Sequence, residues 1–538
     1  MKNLFLIIVF QIVAMQIGYS QINNKRVEFP IQGTDLESFN IPIGDQGVIV
    51  LSQLNKQSFN IRKFSTDLDQ IWSRNTNLES NLDYVTFSFD GTVLSLLFSR
   101  FRSNSYVIFR VLVNSGEITK YQIYSVDRIE ISNFKALNYS LFIGGMVNNQ
   151  PIILFTNLKE RKTRILPAVV KGQAEIQSMD LDTIQQQINV TYSVGGKAKD
   201  YQLIIKSFDE DGNQIGQVYM NPSEEFAMMN GKLNQINDSL QVIVGTYGHK
   251  NSIGSSRGPS SQGLYFNSFI DGSIIKSTYY SFTKFTDFFN FLTPKQKERQ
   301  EKKIKEKEVK GEDLRLDYRL LMHDIIKNGE NYIIIAEAFY PDYKYNNYSP
   351  FGGSMMMGGL GGFYSPYWNM MNPYRWGYGN YGMYSPFSSY YSPWGYRGYN
   401  SYSNQQQFDG WIYTHAVIAE LDKDGKLLWD HCIDLNDSRE SKLIQKIKAS
   451  VVSNTVYLSY HQNDQIITKS ISNNGKNEAL RVQEITPEDK LDKVRRTVKS
   501  EINYWYGPYF IADGYQTITN QDEGRRNVFF LNKIQINP

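Results

Sequence analysis

Apolar positions recur along the chain in short runs separated by polar turns. "YVTFSF" (84–89), "TVLSLLF" (92–98), "YVIFRVLV" (106–113) and "ITKYQIY" (118–124) follow one another directly. Runs of this length, rich in β-branched and aromatic residues, predict strands rather than helices. Asp90-Gly91 joins the first two and supplies the positive φ that a tight hairpin needs. The stretch therefore predicts four antiparallel strands in a row.

The same unit recurs along the chain. "IRKFSTDLDQIW" (Ile61–Trp72) and "IAELDKDGKLLW" (Ile418–Trp429) share a strand, a polar turn and a second strand carrying Trp at the same offset. "IKSFDEDGNQIG" from Ile205 fits with Gly216 in the Trp place, and the segments from Phe109 and Thr468 fit more loosely. "FNSFIDGSII" from Phe266 is a shortened version. Second and third strands of further units fall at Val48–Phe64, Leu141–Asn157, Ile188–Phe208, Leu240–Ile270, Tyr332–Leu421, Val456–Ile471 and Tyr509–Ile534. With the complete unit this makes eight. Four antiparallel strands per unit are what a propeller blade requires. The pattern thus predicts an all-β fold, a single β-propeller of eight four-stranded blades over 21–538. Seven blades is the alternative count, and two sandwich domains the alternative architecture. The last unit stops after its third strand, while "KRVEFPI" (25–31) is a strand without a unit. Pairing the two would close the ring and remove an open sheet edge.

Two insertions interrupt the repeat. In 283–313 the pattern predicts a Lys-rich helical insertion. Phe282, Phe285, Phe289 and Leu292 would share a helical face, and Thr293-Pro294-Lys295-Gln296 reads as a helix start. From Lys295 to Lys310 there are eight basic and four acidic residues, with Glu298–Lys302, Glu301–Lys305 and Glu306–Lys310 at i,i+4 spacing. The bland expectation is a solvated helix held by these ion pairs. The functional one is an arm touching anionic lipid or lipopolysaccharide. The second insertion, 343–408, is a Tyr/Gly/Met-rich low-complexity loop in the sixth unit. The word Y-S-P-aromatic begins at Tyr348, Tyr364, Tyr384 and Tyr391, and Arg375 and Arg397 are the charges between Tyr345 and Phe408. Such a composition cannot build its own core, but a hairpin loop lengthens at small entropic cost. Tyr and Trp suit surfaces that are apolar on one side and wet on the other. Tyr348, Tyr364, Trp368, Trp376, Tyr384, Tyr391 and Trp394 are therefore the candidate partner contacts; the plain alternative is an expansion without a role.

The N-terminus adds a location. "MKNLFLIIVFQIVAMQIGYSQ" has a short basic start, an apolar run and small residues before Gln21, which predicts a signal peptide over 1–20. The apolar run is too short to span a bilayer, and no Cys follows it to carry a lipid. The expected location is the periplasm or the extracellular space, with contact to the outer membrane by surface alone. Cys432 is the single cysteine, so an intrachain disulfide is impossible. A formal charge of +3 on 538 residues argues against a nucleic-acid partner.

Motifs for chemistry do not hold. "GSSRG" (254–258) matches G-x-S-x-G but lies in a Ser/Gly loop between two strands, not at a strand-to-helix elbow. "DEDG" (209–212) and "DKDG" (422–425) open like a calcium loop but lack its later ligands and fall on the repeat's own turn. No His pair has metal-ligand spacing, and His431 beside Cys432 would point to the opposite strand face. We assign no catalytic residue, cofactor or metal. His323-Asp324, on the predicted first strand of the sixth unit, is the candidate ligand site in the axial channel.

The strand–turn–strand-Trp repeats resemble the quinoprotein-like propeller superfamily. Its dehydrogenases carry adjacent cysteines and a calcium site that this chain lacks. The superfamily also includes a lipid-anchored, non-enzymatic scaffold of the outer-membrane barrel-assembly machinery. "FFNFLTPKQKERQEKKIKEKEVKGEDLRLDYRLLMHDII" and "YTHAVIAELDKDGKLLWD" resemble an uncharacterised group of secreted proteins from Bacteroidota. That likeness implies export and architecture but no activity. The leading expectation is a non-catalytic interaction or scaffold protein of the cell envelope with a protein or glycan partner. The alternative is a carbohydrate-binding protein or enzyme that uses the channel.

Overall fold

The computed structural model describes residues 25–536, apart from 346–405 and short stretches at 32–36, 80–81, 101–102, 126–127, 149, 167–172, 196–201, 221–224, 237–239, 251–259, 271, 317, 442, 463–464, 473–474, 476, 490 and 523. The described strands form eight separate antiparallel sheets. Blade 1 runs Ser38–Pro42, Val48–Gln53, Ser58–Phe64 and Gln70–Asn77, with neighbours in chain order. Blades 2, 3, 4 and 7 repeat this order from Asp83, Glu130, Gln173 and Lys448. Blades 5 and 6 do so with a first strand split in two, Phe226–Met228 with Lys232–Gln235 and Arg319–Met322 with Ile326–Asn328. The chain is an eight-bladed β-propeller.

What makes a ring of these sheets is the packing between them. The buried apolar side chains fall into eight clusters, one for each pair of consecutive blades. The eighth joins Val48, Val50 and Phe64 of blade 1 to Ile511, Phe529 and Leu531 of blade 8. Central strands are covered on both faces, which is why they read as continuous apolar runs, as in Val48–Leu51.

The repeat motif has a packing cause. An aromatic side chain from one blade lies against the turn glycine between the third and fourth strands of the next. Trp72 of blade 1 covers Gly116 of blade 2, where a Cβ would come within 2.8 Å of the indole. Phe155 meets Gly212, Phe266 meets Gly425 and Trp429 meets Gly475 in the same way. The Trp72 indole N–H also donates to Val113 O at 3.0 Å. Each such glycine has positive φ (72° at Gly116, 77° at Gly425) and no room for a side chain. The sequence Asp-x-x-Gly or Ser-Gly is therefore half of an inter-blade contact, and the preceding aromatic is the other half.

Ring closure follows the expectation from the N-terminal strand. Arg26–Pro30 pairs antiparallel with the last strand of the chain, Gly524–Gln535, from Arg26↔Asn532 to Pro30↔Val528. It is the fourth strand of blade 8. Phe29 lies between Phe64 and Phe529, at ring-centroid distances of 5.6 and 6.0 Å.

The first insertion departs from expectation in one respect. Residues 282–292 are not a helix. A 3-10 turn, Phe282–Lys284, is followed by irregular turns, and the helix α1 spans Pro294–Val309 alone. Phe282, Phe285, Phe288 and Phe289 all bury themselves against blades 5 and 6. Burying four neighbouring rings needs a folded-over chain rather than one helical stripe. Asp430 fixes that path: its carboxylate accepts from Thr286 N at 2.9 Å and Asp287 N at 2.7 Å. The start of α1 is as expected, with Thr293 N donating to Gln296 Oε1 at 3.0 Å in a capping box.

Replacing Phe29 with Ala removes the ring that both ends of the circle share. It is expected to lower stability by about 3–5 kcal/mol, read as a drop in denaturation midpoint. An unchanged midpoint would show that the strand does not latch the ring.

Candidate functional site

First strands line the axis, because their residues from five successive blades meet in one cavity. Phe87, Ser88 and Phe89 come from blade 2, Lys135 from blade 3, Asp180, Leu181 and Thr183 from blade 4, Lys232, Leu233 and Asn234 from blade 5, and Asp324 and Ile325 from blade 6. The cavity measures about 390 Å³. Its chemistry is set by four charges. Lys232 Nζ contacts Asp324 Oδ1 at 2.6 Å, the lysine side chain 13% exposed and the aspartate 73%. Burial alone would lower the Lys232 pKa, but Asp324 and Asp180 outweigh it and hold the ammonium charged. Lys232, ahead of the effect of burial, keeps the Asp324 carboxyl well below the usual carboxylate range. Asp180 is oriented by Ser178, whose hydroxyl donates to Oδ2 at 2.8 Å. Lys135 makes no ion pair among the described residues and faces Asp324 electrostatically. Two ammonium groups, two carboxylates, an amide and two hydroxyls thus surround a lumen floored by phenylalanine. Such a site can hold a polar, uncharged ligand through many hydrogen bonds.

The two residues singled out from sequence part company. The break in the first strand of blade 6 sends Asp324 into the cavity and His323 back into the blade. His323 is buried, and its Nε2 lies 2.8 Å from Glu337 Oε1. Glu337 is fully buried and also accepts from Lys446 N at 3.0 Å and Ile447 N at 2.8 Å. This carboxylate ties blade 6 to the connection leading into blade 7. It had a signal in sequence, as the lone acid in the apolar run Ile333–Phe339. Lys135, Asp180 and Lys232 had only a weak one, a charge beside buried positions on a first strand.

Other polar candidates have structural employment. Asp209 accepts from Asn213 N at 2.7 Å and Asp422 from Lys426 N at 2.8 Å, so the acids of the two calcium-like turns cap those turns. Cys432 is buried, and burial pushes its thiol up to about 12, away from reactivity. His415 stacks on Phe291 at 3.7 Å with rings 6° apart, and burial takes its pKa down to about 3. It is a neutral plate that anchors the Phe-rich insertion. Ser256 of the hydrolase-like motif lies outside the described residues, as do the signal segment 1–20 and the candidate contacts from Tyr348 to Trp394.

Blade 6 carries a second feature. Its second and third strands, Asn331–Tyr345 and Gln406–Leu421, have 15 and 16 residues, against 8 and 8 in blade 7. They stay paired to Tyr345↔Gln406, where the Tyr-rich segment begins and ends. The fourth strand, Leu427–Glu440, follows them outward to Trp411↔Glu440. At this neck Arg439 bridges Asp342 and Asp409. Trp411 meets Phe339 edge-on at 5.5 Å. The hairpin is three-stranded as far as Trp411, which is buried in the core between blades 6 and 7, and two-stranded from there to Tyr345↔Gln406.

No family model matches the chain, and no curated protein matches it. Solved structures match at low similarity. The polysaccharide lyase Uly1 is 8% identical, covering 95% of this chain and 99% of that one, with a TM-score of 0.37. The β-propeller domain of the Trilobed protease from Pyrococcus furiosus is 7% identical over 85% and 96%, with a TM-score of 0.33. A prolyl endopeptidase is 10% identical over 90% of this chain and 53% of its own, with a TM-score of 0.35. At these values the likenesses carry no argument about activity.

Glu175, on the first strand of blade 4, gives a pH test. Burial pushes its carboxyl from 4.5 up to about 8. The folded chain holds this proton in a window where the unfolded chain has released it, so stability falls as pH rises from about 4.5 to 8. Glu175→Gln should melt higher than the parent at pH 9, with the gap closing below pH 4.5. Parallel melting curves across that range would refute the assignment.

Proposed function

We propose that the protein is a non-catalytic interaction protein of the cell envelope. The signal-peptide pattern of residues 1–20 supports the location. The observation that carries the reading is the long central hairpin of blade 6. A hairpin twice the length of its counterpart in blade 7 bears 60 residues with almost no charge. A long insertion in a surface hairpin on a rigid scaffold is where binding residues concentrate. The aromatic words at Tyr348, Tyr364, Tyr384 and Tyr391, with Trp368, Trp376 and Trp394, would meet a protein or glycan surface.

A second reading rests on the cavity. Asp180, Asp324, Asn234, Lys135, Ser88 and Thr183 offer the acceptors and donors that sugar hydroxyls need, with Phe89 as an apolar wall. This supports a neutral carbohydrate ligand in the channel.

One experiment separates the two. Photo-crosslinking residues at Tyr348 and Trp394 are placed in the exported protein in cells, alongside a chain with 346–405 replaced by a Gly/Ser linker and a chain with Asp324→Asn. The leading reading expects a discrete crosslinked partner, recovered equally with Asp324→Asn. The linker chain should melt within about 2 °C of the parent and lose that partner in co-purification. A partner kept by the linker chain but lost with Asp324→Asn would transfer the function to the channel.

A further inference from the structure

Helix α1 rests on the ring through a single apolar side chain. Ile304 is buried, Lys297, Gln300 and Lys307 are half-buried, and the other twelve residues of Pro294–Val309 are exposed. These four positions form one narrow stripe at i, i+3, i+7 and i+10. Lys297 Nζ reaches Asn290 Oδ1 at 2.7 Å, and Lys307 pairs with Glu312. The Phe-rich turns before α1, held by Asp430 and His415, fix the point from which it leaves the ring.

The ion-pair ladder expected from the sequence is not formed. Among the described residues the pair at i,i+4 spacing is Lys297–Glu301, at 3.9 Å. At about 100° per residue, the half of the helix facing away from Ile304 carries Lys295, Arg299, Lys302, Lys303 and Lys305, with Lys310 just beyond the end. Glu298 and Glu306 share that face, leaving four net positive charges. None of the six cations forms an ion pair among the described residues. Lys295, Arg299 and Lys303 are successive like charges at i,i+4, an arrangement that weakens an isolated helix. That repulsion offsets part of what the Glu–Lys spacings on the same helix contribute. The whole chain carries only +3, so one exposed face concentrates more positive charge than the molecule's net value.

We infer that this face of α1 docks the protein on an anionic phospholipid surface. The row from Lys295 to Lys310 is about 22 Å long, straight and open, and matches a plane of phosphate groups. Its exposed side has no apolar band, so contact is electrostatic and reversible, without insertion. The inference is independent of the Tyr-rich segment.

The test is flotation of the purified full chain with vesicles of phosphatidylcholine, alone or with 30% phosphatidylglycerol. A variant with Lys295→Gln, Arg299→Gln, Lys302→Gln and Lys303→Gln removes the stripe at exposed positions. A matched variant replaces the exposed Lys56, Lys162, Lys423 and Lys426 with Gln, keeping net charge equal. The expected result is binding to the anionic vesicles alone, weakened by raising salt from 50 to 300 mM. The stripe variant should lose roughly 100-fold in partitioning, and the matched variant less than threefold. Equal loss in both variants would assign binding to net charge and overturn the inference. So would equal binding to neutral vesicles, or stripe-dependent binding to a soluble polyanionic polysaccharide without vesicle binding.

Discussion

Phe29 stands where a linear chain becomes a ring. It packs between Phe64 of the first blade and Phe529 of the last, and Arg62 covers its face at 4.1 Å. Around it, Lys25 pairs with Asp69 at 2.6 Å and Lys533 with Asp67 at 3.0 Å, joining the two ends of the chain to the same turn of blade 1. Arg26 reaches Glu28 and Gln516, both at 2.7 Å, on the other side of the strand. Every other inter-blade cluster joins neighbours in sequence. This one joins residues almost 500 positions apart, and without it the first and last blades would each expose an apolar face.

A closed ring explains the placement of polar groups. Eight first strands crowd the axis, and those of blades 5 and 6 break while others carry register shifts, as at Tyr84/Thr86 and Ile131/Asn133. Charged residues released there face the lumen, where Lys232 answers both Asp324 and Asp180. At the rim no such crowding exists. Hairpins can lengthen freely, and blade 6 bears both the lengthened central hairpin and the Phe-rich docking of α1 on its outer strand. Rigid centre and variable rim divide the molecule into a scaffold and its contact devices.

Much of this was legible in the sequence, because its cause is local. The Ile-to-Trp spacing and the Asp-Gly turns are read directly, since Trp72 and Trp429 both lie on fourth strands and the glycines they or their counterparts cover lie in the turn before one. The lone strand at 25–31 and the incomplete last unit pointed to each other. What was not legible depends on partners distant in sequence. Nothing near Asp430 shows that it caps the amides of Thr286 and Asp287 and so prevents a helix over 282–292. The split of His323 from Asp324 depends on a strand break and on buried Glu337.

Hydrogen exchange of the N-terminal strand tests the closed ring most directly. Ile31 N donates to Asn527 O at 3.0 Å and Lys533 N to Lys25 O at 2.9 Å. If closure by this strand holds the ring together, the inward-paired amides of Val27, Phe29 and Ile31 should exchange as slowly as those of the central strands, through global unfolding. Exchange of these three amides within seconds, while 509–535 stays protected, would contradict the account.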